Sequence, residues 1–161
     1  MNSFLKSLAL SLIFCTQQFG AAQNTTIDSL KLVLKDAQNP TAKARVCYDI
    51  SWEYIYLDQE LALHYTEQGM AIAKQAKDSA QIATGYGMLG ICHDISGNYF
   101  KSAEAYQNAI SILEKIPNSE ADLAINYNNL AVLFKFIKDY KKAILYQKIG
   151  LKYEKSSEDM E

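Results

Sequence analysis

The sequence predicts an all-α fold, an α-α superhelix (solenoid) of about three similar helical hairpins that follow one N-terminal helix. Only 7 Gly and 2 Pro occur among 161 residues, 49% of which are hydrophobic, so helix breakers are few in an otherwise ordinary globular composition. The chain also matches itself without a gap at an offset of 41 residues, which indicates a structural repeat. The matched positions are Tyr86, Leu89, Gly90, Tyr99, Ala109 and Ile110, which recur as Tyr127, Leu130, Ala131, Tyr140, Gly150 and Leu151.

Residues 1–22 have the layout of a secretory signal peptide. Lys6 supplies a positive charge, Leu8–Cys15 is a short apolar run, and small residues precede a cleavage site after Ala22. A membrane anchor is the alternative, but the run has about half of the ~20 residues that a spanning helix needs. A lipoprotein signal is disfavoured because the bulky Phe14 stands where a small residue is usual. We therefore expect a periplasmic or secreted protein without stable membrane insertion after cleavage.

Apolar periodicity and turn signals predict seven helices in the remaining chain. Asn39 is a helix cap followed by Pro40 at the first helical position, where a missing N–H costs nothing. Asp78 and Gln81 have the spacing of a capping box. The predicted helices cover residues 26–38, 40–56, 59–76, 79–96, 99–115, 120–138 and 140–155. The predicted segments are an N-terminal helix within 23–39, units at 40–77, 78–118 and 119–156, and a charged tail at 157–161.

Small residues such as Ser102, Ala109, Ala143 and Gly150 allow two helix backbones to approach closely, and Leu89, Leu130 and the aromatic positions fill the resulting seam. This pattern resembles the tetratricopeptide (TPR) repeat family over about residues 40–155. The second unit carries it on Tyr86, Leu89, Gly90, Gly97, Tyr99, Ser102, Tyr106 and Ala109. The third carries it on Tyr127, Leu130, Ala131, Phe134, Tyr140, Ala143 and Gly150. The first departs most, with Cys47, Ile50, Ser51, Tyr54, Ala62 and Gly69 and no turn glycine.

The resemblance implies a groove that binds a protein or peptide partner on the face formed by the first helix of each unit. We expect an amphipathic helix or an extended peptide there. For Trp52, packing against other helices is an equal alternative to a place in the groove. The residues that the resemblance places in the partner-binding groove are Tyr48, Trp52, Ile55, Ile91, Asp94, Asn128, Val132, Lys135 and Phe136.

The sequence gives little support for catalysis, a cofactor, a metal site or a nucleic-acid partner. His64 and His93 have no Cys or His partner at metal-ligand spacing, and no phosphate-binding glycine loop or nucleophile elbow occurs. The formal charge of −2 leaves no basic stripe for nucleic acid. Cys47 and Cys92 lie among apolar neighbours, which favours buried free thiols over a disulfide. We therefore expect a protein that is not an enzyme.

Two functional hypotheses remain at this stage. The first is an exported scaffold that binds protein or peptide in its groove. The second is a truncated sensor array, because the leader and stacked units also resemble exported N-terminal TPR arrays of bacterial histidine kinases and signalling regulators. The last helix carries Ile144 and Leu151 with no predicted capping helix after it. That face is either protected by its charged flank, used for self-association through the C-terminal helix, or part of a longer array.

Overall fold

The computed structural model describes residues 25–158, and these residues form helices joined by short turns, with no strand among them. The predicted leader and residues 159–161 of the tail lie outside the described part. The prediction of an all-α repeat fold is confirmed, and every predicted helix is present with its ends displaced by at most three residues. The helices are α1 (25–36), α2 (Pro40–Tyr54), α3 (Gln59–Ala76), α4 (Ser79–Ile95), α5 (Tyr99–Leu113), α6 (Glu120–Phe136) and α7 (Tyr140–Glu158).

The helices begin where the capping residues are. The Asn39 side chain accepts hydrogen bonds from the backbone N–H groups of Thr41 (2.8 Å) and Ala42 (3.3 Å), with Pro40 in the first turn. Asp78 accepts from the backbone N–H of Gln81 at 3.1 Å, as the capping-box pattern predicts. The reciprocal half is missing, because the Gln81 side-chain oxygen has no hydrogen-bond partner.

Asp78 also joins the first two units. Its carboxylate accepts a hydrogen bond from the Thr41 hydroxyl at 2.6 Å, which links the start of α2 to the start of α4. This hydrogen bond, followed by the one from the Gln81 N–H, holds the pKa of the Asp78 carboxyl below its ordinary value. The charged form of Asp78 therefore contributes stability above the unfolded pKa, and this contribution is lost as the pH falls through the lower folded pKa.

The turn inside each later unit has one residue in the left-handed region. Gly97 has a φ of 74° between α4 and α5, a conformation that glycine adopts without steric cost. The residue one repeat later is Lys138, which has a φ of 65° between α6 and α7. The left-handed backbone conformation of this turn is therefore the same in both units, although lysine stands in place of glycine in the third.

Aromatic rings packed against glycines hold the helices together. A Cβ atom on Gly90 of α4 would overlap the ring of Tyr106 on α5, and one on Gly69 of α3 would meet the ring of Tyr48 on α2. The predicted small residues Ser102 and Ala109 are fully buried in the same interface. Tyr106 and Ile110 then continue the core into α6, where they join Leu130 and Leu133, so neighbouring units share one apolar seam.

A buried polar chain crosses from the first unit to the second. The Ser51 hydroxyl lies 2.8 Å from the Ala62 carbonyl oxygen and 2.7 Å from the Thr66 hydroxyl, and the Thr66 hydroxyl is 3.6 Å from the Cys92 sulfur. The expectation that Cys47 and Cys92 are buried free thiols is confirmed. Burial raises the pKa of the Cys47 thiol to about 11, which makes it a poor nucleophile at neutral pH.

Replacing Gly90 by leucine tests the close packing of α4 and α5. The new side chain has to displace the Tyr106 ring, so we expect Gly90→Leu to lower the free energy of unfolding by about 1–3 kcal/mol. Ala71→Leu, on the exposed face of α3, is the matched control and should have little effect. Urea unfolding followed by circular dichroism measures both, and equal midpoints for the two variants would contradict the packing.

Candidate partner-binding groove

Three hollows lie along the face formed by the first helix of each unit, α2, α4 and α6. The largest, of about 690 Å³, lies between α1, α2 and α4. The second, of about 180 Å³, lies between α4 and α6, and the third, of about 250 Å³, lies between the end of α4, the start of α5 and α6. We call the strip that these hollows form the A-helix groove.

Trp52 lies in the A-helix groove and not in the core. Its side chain is 53% exposed and lines the largest hollow, where Thr26 and Leu30 of α1 form the opposite wall. The exposed fraction of Trp52 argues against a core position, although residues of α1 share the hollow with it. An indole exposed in a concave site is suited to pack against an apolar or cationic group of a partner.

The structure corrects the expectation for Tyr48 and Ile55, which are both 2% exposed and lie in the core. Tyr48 fills the space that Gly69 and Gly85 leave open, and its hydroxyl donates a hydrogen bond to the carbonyl oxygen of Gln81 at 2.9 Å. Burial raises the pKa of the Tyr48 hydroxyl well above its ordinary value. Ile55 keeps helical backbone angles at the C-cap of α2 and follows Tyr48 by seven residues, so it continues the core-facing side of this helix and packs against buried residues of α3 and α4.

Asn128 also departs from the expectation. Its side-chain oxygen accepts a hydrogen bond from the Gln147 side-chain amide of α7 at 3.2 Å, and it lies against Gly150. Gly150 has no Cβ, so the amide of Asn128 fits between α6 and α7. Asn128 therefore contributes to the packing of the third hairpin and does not face the A-helix groove.

Apart from Lys135, the other predicted residues of the second and third units border the groove. Ile91 lines the second hollow and is half-buried, while Asp94 lines the third with Val132 and Phe136. Val132 is 59% exposed and Phe136 is 67% exposed, and the Phe136 ring centroid lies 5.4 Å from that of Tyr99. Lys135 is exposed on α6, between these two apolar residues in the sequence.

The electrostatic character of the A-helix groove was not evident from the predicted residues. Arg45 and Asp49 line the first hollow with Trp52, and Asp122 lines both the first and the second. Helical spacing from Trp52 was the available signal, because Asp49 and Arg45 precede it by three and seven residues. Burial raises the pKa of the Asp94 carboxyl, which lies in the third hollow.

Within residues 25–158, no group of three or more His, Cys, Asp or Glu side chains is arranged to hold a metal ion. His93 is half-buried, and burial followed by the nearby Lys101 lowers the pKa of its imidazole, while His64 is exposed. No helix in this range has both the length and the apolar character to cross a membrane.

Comparisons with known proteins support the fold. No protein-family model matches the chain, and no curated protein matches its sequence. Twelve solved chains match its structure. One is the crystal structure of MamA, a TPR-like helical solenoid, which superposes with a TM-score of 0.60 at 24% sequence identity. The superposition covers 85% of this chain and 71% of that chain. At this identity the likeness shows the fold alone, so the TPR-like helical repeat is supported and the resemblance to sensor-kinase arrays is not shown.

The different positions of Trp52 and Tyr48 predict different effects on stability. Trp52→Ala removes an exposed side chain, so we expect the free energy of unfolding to change by less than about 0.5 kcal/mol. Tyr48→Ala empties the space against Gly69 and should cost about 3–5 kcal/mol. Thermal unfolding followed by circular dichroism compares the two. A large loss of stability in Trp52→Ala would show that its indole belongs to the core.

Proposed function

We propose that this protein is a non-enzymatic, TPR-like scaffold that binds a protein or peptide partner in the A-helix groove. The observation that carries the proposal is the row of exposed apolar side chains on this one face, at Trp52, Ile125, Val132 and Phe136. Apolar side chains gathered in a concave strip with a polar border are typical of a protein-binding surface. The TPR-like fold supports the same conclusion at the level of architecture.

The charges beside the groove specify the partner further. Asp49, Glu53, Asp94 and Asp122 line the hollows together with a single cation, Arg45. An acidic groove with apolar anchor points favours a partner that carries aliphatic or aromatic side chains together with Lys or Arg. We therefore propose a basic amphipathic helix, or an extended segment of similar composition, as its ligand.

We also propose that the protein is exported, with the periplasm or the medium as its destination. The support is the signal-peptide pattern of residues 1–22, which lies outside the described part of the structure. N-terminal sequencing of the protein recovered from the periplasm or medium should begin at Gln23. An uncleaved cytoplasmic product would contradict export.

Two further proposals come from the sequence. The first is that the chain is the sensor array of a signal-transduction protein, which would be joined to a membrane helix and an output domain. Inspection of the DNA downstream of the coding sequence distinguishes such an array from a separate scaffold. Self-association through the C-terminal helix is the second, as the alternative to a different protein at that helix. Sedimentation of the processed protein tests it, with a concentration-dependent dimer as the supporting result.

Partner binding by the A-helix groove is tested with Trp52→Ala and Phe136→Ala. A partner is first captured from the native periplasm or medium, identified by mass spectrometry and purified. Each substitution removes an apolar anchor, so we expect the binding free energy to weaken by about 1–3 kcal/mol in calorimetry.

Phe100→Ala is the matched control for this measurement. Phe100 is 84% exposed at the start of α5 and lines none of the three hollows. Its loss should leave the affinity unchanged. Equal effects of all three substitutions would show that the partner does not use the A-helix groove.

A further inference from the structure

The outer face of α7 corresponds, one repeat later, to the face of α5 that is covered by α6. In the second unit, Tyr106, Ile110 and Leu113 of α5 are buried under α6. The residues one repeat later on α7 are Gln147, Leu151 and Glu154, and all three are exposed. Two of the three seam positions have thus become polar, while Leu151 keeps an apolar side chain that is 52% exposed.

A groove of about 510 Å³ remains on this face, between α6 and α7. We call it the end groove. Its apolar lining comes from Val132, Tyr140 and Ile144, each of which is more than half exposed. Lys135 and Lys148 line it as well. Among the side chains of residues 25–157, neither lysine forms an ion pair with a carboxylate, and the ion pair that is present joins Lys142 to Asp139.

The sign of the charge changes at this end of the molecule. Residues 135–161 contain seven lysines and five acidic residues, a formal charge of +2. Residues 25–134 contain eight basic and thirteen acidic residues, a formal charge of −5. The end groove itself is lined by Lys135 and Lys148 and by no acidic residue, so it attracts an acidic partner.

We propose that the end groove binds an acidic amphipathic helix of a partner protein. A single helix fits, because a single helix, α6, covers the equivalent surface of the second unit. Apolar side chains at i, i+3 or i+4, and i+7 of the partner would pack on Val132, Tyr140 and Ile144. Asp or Glu residues beside that stripe would pair with Lys135 and Lys148.

Charge argues against a second copy of this chain as the occupant. A two-fold pairing of identical end grooves would bring the lysines of one α7 close to those of the other, which is unfavourable. The end groove adjoins the third hollow at Val132, which lines both, but it is separate from the first hollow, which Trp52 lines. This inference therefore does not rest on the function proposed for the A-helix groove.

The probe for the experiment is a labelled 18-residue helical peptide with leucines on one face and glutamates elsewhere, and its counterpart has lysine at every glutamate position. Binding to the full chain is measured by fluorescence anisotropy. The double substitution Lys135→Glu/Lys148→Glu reverses both charges. It should lower the affinity for the acidic peptide by about tenfold or more, since two attractive pairs become repulsive. The same substitutions should not lower the affinity for the lysine peptide. Added salt should reduce the affinity for the acidic peptide.

Two controls separate this site from others. Lys101→Glu/Lys115→Glu makes the same change in charge at exposed positions of α5 and the following turn, outside the end groove, and should leave the affinity for the acidic peptide unchanged. Trp52→Ala should also leave it unchanged, whatever it does to partner binding in the A-helix groove.

Four results would overturn the proposal. The first is an acidic peptide that does not bind, and the second is one whose affinity is unaltered by Lys135→Glu/Lys148→Glu. The third is loss of its binding in Trp52→Ala, which would place the peptide in the A-helix groove. The fourth is a dimer of the chain alone that Ile144→Glu dissociates, which would show a second copy in the end groove.

Discussion

The structure depends on tyrosine rings that occupy the space left by glycines on neighbouring helices. Tyr48 packs against Gly69 and Gly85, so it joins α2 to both α3 and α4. Tyr106 packs against Gly90 and extends towards α6. These contacts fix how closely the helices approach, and they carry the core from one unit to the next. The surface on which α2, α4 and α6 lie side by side follows from that packing.

Much of this fold could be predicted because the repeat is visible in the sequence. The fixed offset of 41 residues gave the unit, and Asn39, Asp78 and Gly97 marked ends of helices that the structure shows nearby. Lys138 shows the limit of such signals, since it adopts a left-handed conformation without being glycine. Its backbone is imposed by the hairpin, and only the comparison with Gly97 one repeat earlier would have predicted it.

The binding surface was harder to predict than the fold, for a physical reason. Successive residues of a helix are rotated by about 100° around its axis. An error of one residue in the alignment of the repeats therefore exchanges groove-facing and core-facing positions. Tyr48 and Ile55 were expected in the groove and are core residues, whereas Trp52 between them is exposed. Asn128 has the right spacing but is held by Gln147 of α7. Asp49 and Arg45 complete the surface. Apart from their helical spacing from Trp52, nothing in the sequence distinguishes them from ordinary exposed charges.

A shared seam implies that the units unfold together, and Trp52 allows this to be measured directly. It is the only tryptophan, so its fluorescence reports on the first unit, whereas far-ultraviolet circular dichroism reports on all helices. If the rings of Tyr48 and Tyr106 couple the units, urea titrations followed by the two signals will have the same midpoint and the same slope. Separate transitions, with the tryptophan signal lost before or after the helical signal, would contradict a continuous core.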